Sequence, residues 1–515
     1  MASIKRISSI LLAGCALSTL AACGADDVAS PGDGSIIVPP TNPTNPTNPT
    51  NPTNPTNPTP GTPDASCPQG TTDAGVISNR RNCELSGVIS ASLQLPYSAG
   101  TLYSLKGRVD VGVDMGGDGL AAGGKQATLT VDPGVVVFAS SGNDFLVVNR
   151  GSKINAEGTA AKPIIFTARA NVVGTATDDS QGLWGGIVLL GRAPISDCNT
   201  AVAGGSVGCQ QQIEGTTNAM YGGATPADSS GTLRYVQIRY SGFEIAPGNE
   251  LQGLTTGGVG SGTKLEYIQV HNSSDDGVEF FGGRNNVKYL IVTGADDDSI
   301  DTDLGYKGYM QFVIAVQRAG GNSGDAIIEA DTSGNNDALP RQNTKMANFT
   351  FVHRQTAAST GSNAVLMRGG TDYTLMNGVI TTPRFCLDMD DAQTTQAANG
   401  ALDEQGPPVF QSVVMQCGGG AFRTDGNEAD VAAAFNAGTN NNSAFTASLV
   451  NVFVNGAAET GVTAFDASTI NAFFTRTTYI GAVKDANDTW YRGWTCDSAT
   501  ANFGSSAACT ALPTA

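Results

Sequence analysis

From Leu233 onward one short alternation of apolar and polar positions keeps returning. It reads Leu233-Arg-Tyr235-Val-Gln-Ile238, then Leu265-Glu-Tyr267-Ile-Gln-Val270, then Val287-Lys-Tyr289-Leu-Ile-Val292, with Gln311-Phe312-Val313-Ile314 as a further copy. Each stretch has the length, β-branched content and alternation of a strand with one buried side. Tyr267 and Tyr289 are 22 residues apart, and Gly283 and Gly305 keep that offset beyond the strand. A period near 22 is the length of one coil of a parallel β-helix, in which each coil buries its apolar side only by stacking on the next.

Both flanks extend the pattern. Upstream, Leu129-Thr-Val131-Asp-Pro-Gly134-Val-Val-Val-Phe138 and Phe145-Leu-Val-Val-Asn-Arg-Gly151-Ser-Lys-Ile154 are further short strands between turns. Downstream, a looser series carries a polar residue at a fixed place: Asn348-x-x-Phe351, Asn377-x-x-Ile380, Ser412-x-x-Met415 and Asn451-x-x-Val454. Stacked at a bend, such side chains are expected to hydrogen-bond to one another and to backbone, with loops inserted where the spacing stretches. Residues 67–515 therefore read as one all-β solenoid. Its open ends need covers, for which residues 67–110 and the region of Trp490, Trp494 and Cys496 to Cys509 are the candidates.

The same register acts on the acids. Asp275 and Asp297, Asp276 and Asp298, and Glu279 and Asp301 are each 22 apart, so stacking sets these six carboxylates in three pairs about 4.8 Å apart. Glu244 takes the corresponding place one coil earlier, and Asp296 and Asp303 flank the group. Like charges so close repel, and a hard cation with six to eight oxygen ligands, Ca²⁺, is the simplest compensation. Two other readings stand beside it: a solvated acidic face, and a catalytic acid pair, Asp276 and Asp298, with Arg341, Arg368 or His353 as the basic partner. Gly257-Gly-Val-Gly-Ser-Gly262-Thr-Lys264 only approximates a phosphate loop, and its glycines read as turn residues. Two histidines, His271 and His353, leave little for a Ser-His-Asp triad or a zinc site.

The beginning of the chain adds an address. Lys5 and Arg6, an apolar run from Ile7 to Leu20 and small residues before Cys23 form a secretory signal over residues 1–22. The apolar run is shorter than the roughly 20 residues that span a bilayer. Residues 23–66 form a linker, dominated from Pro39 to Pro63 by an Asn-Pro-Thr repeat. Proline at every third position favours an extended, polyproline-II-like tether. Without Lys5 and Arg6 the chain carries 26 Lys+Arg against 46 Asp+Glu, a net charge of −20, which argues against a nucleic-acid partner. Eight further cysteines fall as neighbours, Cys67 and Cys83, Cys198 and Cys209, Cys386 and Cys417, Cys496 and Cys509. Sequential disulfides are expected in an oxidising compartment, although eight cysteines allow 105 pairings.

Leu20-Ala21-Ala22-Cys23 resembles a bacterial lipobox, and Gly24 after the cysteine resembles lipoproteins sent to the outer membrane. That resemblance implies a diacylated, palmitate-bearing Cys23 and an outer-membrane anchor. The chain also resembles a family of Gram-negative surface lipoproteins with a right-handed parallel, pectin-lyase-like β-helix, mostly of unassigned function. The resemblance rests on Ile154-Asn-Ala-Glu157-Gly158-Thr with Lys162-Pro163-Ile-Ile-Phe166-Thr, on Trp184-Gly-Gly-Ile-Val-Leu-Leu-Gly191-Arg-Ala-Pro194, on Asn249-Glu-Leu-Gln-Gly253-Leu-Thr-Thr-Gly257-Gly-Val-Gly260, and on Ser274-Asp-Asp-Gly-Val-Glu-Phe-Phe-Gly-Gly283. It covers roughly residues 83–495 and implies a fold and a location, but no reaction. The expectation is a non-enzymatic, calcium-stabilised surface protein that binds a glycan, a surface partner or an uptake receptor. The alternative is a surface polysaccharide lyase or glycoside hydrolase using the stacked Asp residues.

Overall fold

Parallel strands wind round one axis in the computed structural model, three short faces to a coil. Residues 56–515 form a single unit, and the structure describes residues 62–512 apart from 247–248, 321–323, 333–334, 356–362 and 506. The signal segment, Cys23 and the linker as far as residue 61 lie outside the described residues.

The Tyr-centred stretches form Gly231–Arg239, Lys264–His271 and Asn286–Thr293, and the ladder continues through Tyr309–Val316, Asn343–Val352, Asp372–Thr382 and Val409–Cys417. Register places Leu233 on Leu265, Val287, Met310, Met346, Leu375 and Phe410 in turn. These residues fill the shared interior with Val236, Ile268, Leu290, Val313 and Phe349. The period of 22 is thus the rise from one coil to the next.

Each long strand is bent by one residue in the left-handed region: Tyr235 (φ 51°), Tyr267 (56°), Tyr289 (61°), Phe312 (62°), Asn348 (56°), Asn377 (54°) and Ser412 (56°). The bend divides the strand into two faces. In an earlier coil those faces are separate strands, Lys153–Glu157 and Ile164–Ala168, which pair with the first and second halves of Gly231–Arg239. The tyrosine series and Asn348, Asn377 and Ser412 are therefore one structural position, whereas Asn451 lies outside the ladder and donates to the Asn502 carbonyl (2.7 Å). A left-handed conformation costs an ordinary residue about 1–2 kcal/mol, and Asn less. The aromatic members offset that cost by stacking, with ring centroids 4.3, 4.2 and 4.9 Å apart from Tyr235 to Phe312.

The asparagines behave differently from the expected mutual ladder, because they bind the C-terminal segment. Asn348 donates to the Tyr479 carbonyl (3.0 Å), Asn377 donates to the Phe465 carbonyl (2.9 Å) and accepts from its N–H (2.7 Å), and Ser412 donates to the Thr463 carbonyl (2.8 Å). The segment then runs back along the solenoid as a strap. Gln311 exchanges two hydrogen bonds with Thr475, Gln269 two with Cys496, and Arg239 donates to the Cys509 and Ala511 carbonyls. Trp494 meets Tyr235 and Tyr267 edge-on. Trp490, Trp494 and the Cys496–Cys509 region thus cover a side of the solenoid, not its end. The late end is covered by the helix Glu428–Asn436, whose Val431 and Phe435 join the core beside Phe410 and Phe422. At the early end Thr72–Ile77 pairs antiparallel with Arg80–Ile89.

Four disulfides join Cys67–Cys83, Cys198–Cys209, Cys386–Cys417 and Cys496–Cys509, the neighbouring pairs. No helix among the described residues is long and apolar enough to cross a membrane.

Candidate cation site on an acidic strand ladder

The third face stacks Phe145–Val148, Ile187–Leu190, Leu254–Gly257, Val278–Phe281, Ile300–Asp303, Ile328–Ala330, Asn363–Met367, Phe385–Met389 and Gly420–Arg423. Alternation sends Val278, Phe280 and Ile300 into the core, so the residues between them face outward. One outward column reads Val147, Val188, Thr255, Glu279, Asp301, Glu329, Leu366, Asp388, Arg423. Its first members are apolar because a loop that includes Cys209 and Tyr221 packs on Val147, Val188 and Phe281. The acids begin under that cover, where Tyr221 packs on Phe281, and Glu279, Asp301 and Asp303 are at most 2% exposed.

Five of the six predicted carboxylates come together. Oxygens of Asp275, Asp276 and Asp297 lie within 4.8 Å of one another, as do oxygens of Asp276, Glu279 and Asp301, so Asp276 belongs to both groups. Two oxygens on opposite sides of one Ca²⁺ are about 4.6–5.2 Å apart, given Ca–O distances of about 2.3–2.6 Å. The spacing and the all-oxygen donor set therefore fit a hard cation. Asp298 stands slightly apart: its N–H donates to Asp276 Oδ1 (2.9 Å) and its carboxylate accepts from the Ala326 N–H. Glu244 does not join. It lies in a two-stranded antiparallel ribbon with Glu250, and Gln252 takes the place one coil before Asp276.

Burial, followed by the charges of Asp275, Asp301 and Asp297, pushes the Asp276 carboxyl well above the usual range. Burial and then Glu329 do the same to Asp298, and to a smaller extent to Asp325. Such acids must take up protons or share a positive charge.

Of the three basic candidates only Arg368 reaches this face, where it pairs with Glu329 and with Asp331 (3.1 Å). Burial alone would lower its pKa, yet Glu329, Asp331, Asp303 and Asp301 raise it. Arg341 is buried and forms ion pairs with Asp337, Asp372 and Glu404. His353 bonds Thr382 Oγ1 through Nδ1 (2.9 Å), and burial pushes its pKa down to about 3, so it is neutral. His271 repeats that arrangement with Thr293.

Several participants escape sequence reasoning. Gln252 places Nε2 3.3 Å from Asp275 Oδ2 and 3.4 Å from Glu214 Oε1. Glu329 follows Asp301 in the column, but 28 residues later, because that coil is longer. The run of registers was the signal for Glu329. Gln252 stands two residues before Leu254 as Asp276 stands two before Val278, so it holds the Asp276 place one coil earlier, whereas Glu214 lies outside any repeat.

A parallel β-helix with an acid ladder on one face is the class of protein that fold and site define. Residues 114–495 match the family model of the pectate-lyase-like β-helix domain, and the chain belongs to that family. No curated protein and no solved structure matches it.

Proposed function

We propose that this is a non-enzymatic, surface-displayed binding protein whose third face holds Ca²⁺ and through it engages a glycan. The observation that carries the reading is Asp276, a buried carboxyl shared by two groups of acid oxygens, each of the size that one cation spans. Asp275, Asp276, Glu279, Asp297 and Asp301 would hold the ion, with Gln252 and Asp298 fixing their orientation. A cation held there supplies a Lewis-acidic point for sugar hydroxyls or carboxylates, and Arg368 extends the polar surface by a coil. Arg341 is committed to three acids, His353 is neutral and buried, and Arg368 is paired with Glu329 and Asp331, so each of the three basic candidates is engaged or buried, which favours binding over cleavage. The pectate-lyase-like family supports a carbohydrate-related role. Anchoring at an outer membrane through Cys23 completes the proposal, with an outer-membrane receptor as the other class of partner.

The test is calorimetry of the full chain with CaCl₂, followed by retention on acidic and neutral polysaccharides with and without EDTA, scoring new reducing or unsaturated ends. Calcium-dependent retention without cleavage is expected. No calcium binding would end the cation reading. Cleavage lost in Asp276→Ala and Asp298→Ala would establish the enzyme instead. Cys23→Ser should move the protein from the membrane to the soluble fraction, and retention in the membrane would end the anchor reading.

A further inference from the structure

Far from the acids, a cavity of about 240 Å³ opens on the second face of the earliest coils. Its floor is Val136 and Ile165, its walls are Tyr97, Pro163 and Lys162, and Arg80 reaches into it. Val136 and Ile165 belong to an apolar cluster with Ile77, Leu102 and Leu512 that packs outside the main core. Arg80 begins the strand Arg80–Ile89, directly after a hairpin whose two turn residues, Ser78 and Asn79, have φ of 46° and 55°. That turn fixes the direction in which the Arg80 side chain leaves.

Arg80 is only 8% exposed, and its Nε has no hydrogen-bond partner among the described residues. The acidic group that acts on it is the Tyr97 phenol, not a carboxylate, and burial holds its pKa below the ordinary value. No acid is among the residues that line the cavity, and Asp64 accepts from the hydroxyl of Thr101, one of the lining residues (2.6 Å). The Lys162 ammonium sits 4.8 Å from the Tyr97 ring centre and adds a second positive charge at the mouth. A buried guanidinium with no counter-charge among the described residues is unfavourable.

We propose that this cavity binds a small apolar monocarboxylate. The guanidinium of Arg80 supplies charge and paired N–H donors for a carboxylate, which a neutral amide matches less well, and the apolar floor disfavours the more heavily charged phosphate. The apolar floor takes a ring or branched chain in place of a sugar, and the volume limits the body to one ring. The site is independent of the acid ladder and of its cation.

The full chain is titrated with sodium benzoate by calorimetry and thermal shift, beside benzamide, acetate and inorganic phosphate. Benzoate should bind with one-to-one stoichiometry and raise the melting temperature. Benzamide, which lacks the charge, and acetate, which lacks the body, should each bind about tenfold more weakly or not at all. Arg80→Met should abolish benzoate binding while leaving the ligand-free melting temperature unchanged or higher, and Arg80→Lys should retain part of the affinity. The proposal is overturned by absence of benzoate binding, by equal binding of benzamide, by a preference for phosphate, or by undiminished binding to Arg80→Met. A lower melting temperature of ligand-free Arg80→Met would also overturn it, since the guanidinium would then have a structural partner.

Discussion

Asp276→Asn separates a strained cation ligand from an ordinary structural acid. Oxygens of Asp276 lie within 4.8 Å of four other carboxylates. One charged pair at that distance repels by about 3.5 kcal/mol at an effective dielectric of 20, and by about 0.9 kcal/mol in bulk water. If Asp276 takes up a proton instead, holding it at pH 7 costs up to about 4 kcal/mol relative to a free carboxyl. Asp297 is exposed and Asp276 is not, so part of the repulsion is screened and a net cost of about 3 kcal/mol is expected. Asparagine removes that cost and keeps an oxygen for the Asp298 N–H. For roughly 450 ordered residues the unfolding entropy is about 1 kcal/mol per degree. In EDTA, the variant should therefore melt about 3 °C above the wild-type protein in a calorimetric scan. Calcium at a hundredfold its Kd adds about 2.7 kcal/mol to the wild type and little to the variant, so the gap should close. Two results would refute this reasoning: a variant that melts below wild type in EDTA, or a gap that calcium leaves unchanged.

Asn377→Gly keeps the left-handed bend and loses two hydrogen bonds to Phe465, a destabilisation of about 2 kcal/mol in denaturant titration. Asn377→Val adds the left-handed penalty of about 1–2 kcal/mol, and a valine variant as stable as the glycine one would contradict the role of the bend. Burial, then the neighbouring Glu404, pushes the Asp372 carboxyl up to about 7. Because that lies above its unfolded value of about 3.9, its stabilising contribution is complete below pH ~4 and is lost as pH rises through about 7, by at most about 4 kcal/mol. Asp372→Asn should flatten the fall in melting temperature between about pH 5 and 8, and an unchanged slope would remove Asp372 as its source. Paired Cys496→Ser and Cys509→Ser should release the end of the strap, opening tryptic cleavage at Arg492 while the strands stay protected. Uniform digestion of the whole chain would show that strap and coils are inseparable.

Much of the architecture was legible because β-helical coils repeat in sequence what they repeat in space. The tyrosines at 235, 267 and 289 reported the register, and the same offset paired Glu279 with Asp301 correctly. What stayed hidden has physical reasons. Phe312 and Asn348 occupy equivalent bends, yet one stacks and the other hydrogen-bonds, and a longer coil separates them, so chemistry and spacing change together. The strap leaves no periodic trace, since each of its backbone groups answers a different side chain. Trp490 and Trp494 therefore looked like an end cover when their role is to flank the aromatic ladder. On the acidic face, Glu214 arrives from outside the repeat, and Gln252 holds the Asp276 place one coil earlier without a charge to mark it. Arg341 looked available only because Asp337, Asp372 and Glu404, its three partners, are scattered over 68 residues of sequence.

The strap sets an order of events in folding. Coil-on-coil pairings join residues a few tens apart, whereas the bond from Arg239 to the Cys509 carbonyl spans 270 residues and that from Asn171 spans 338. Short closures form first, because the entropy of bringing chain segments together must be spent before distant contacts repay it. The ladder can zip coil by coil, and the strap locks it last. Until then the tyrosine stack lies open to water. A chain cut before the strap would keep its coils and leave that aromatic side bare, so a shielded tyrosine stack reports a finished molecule.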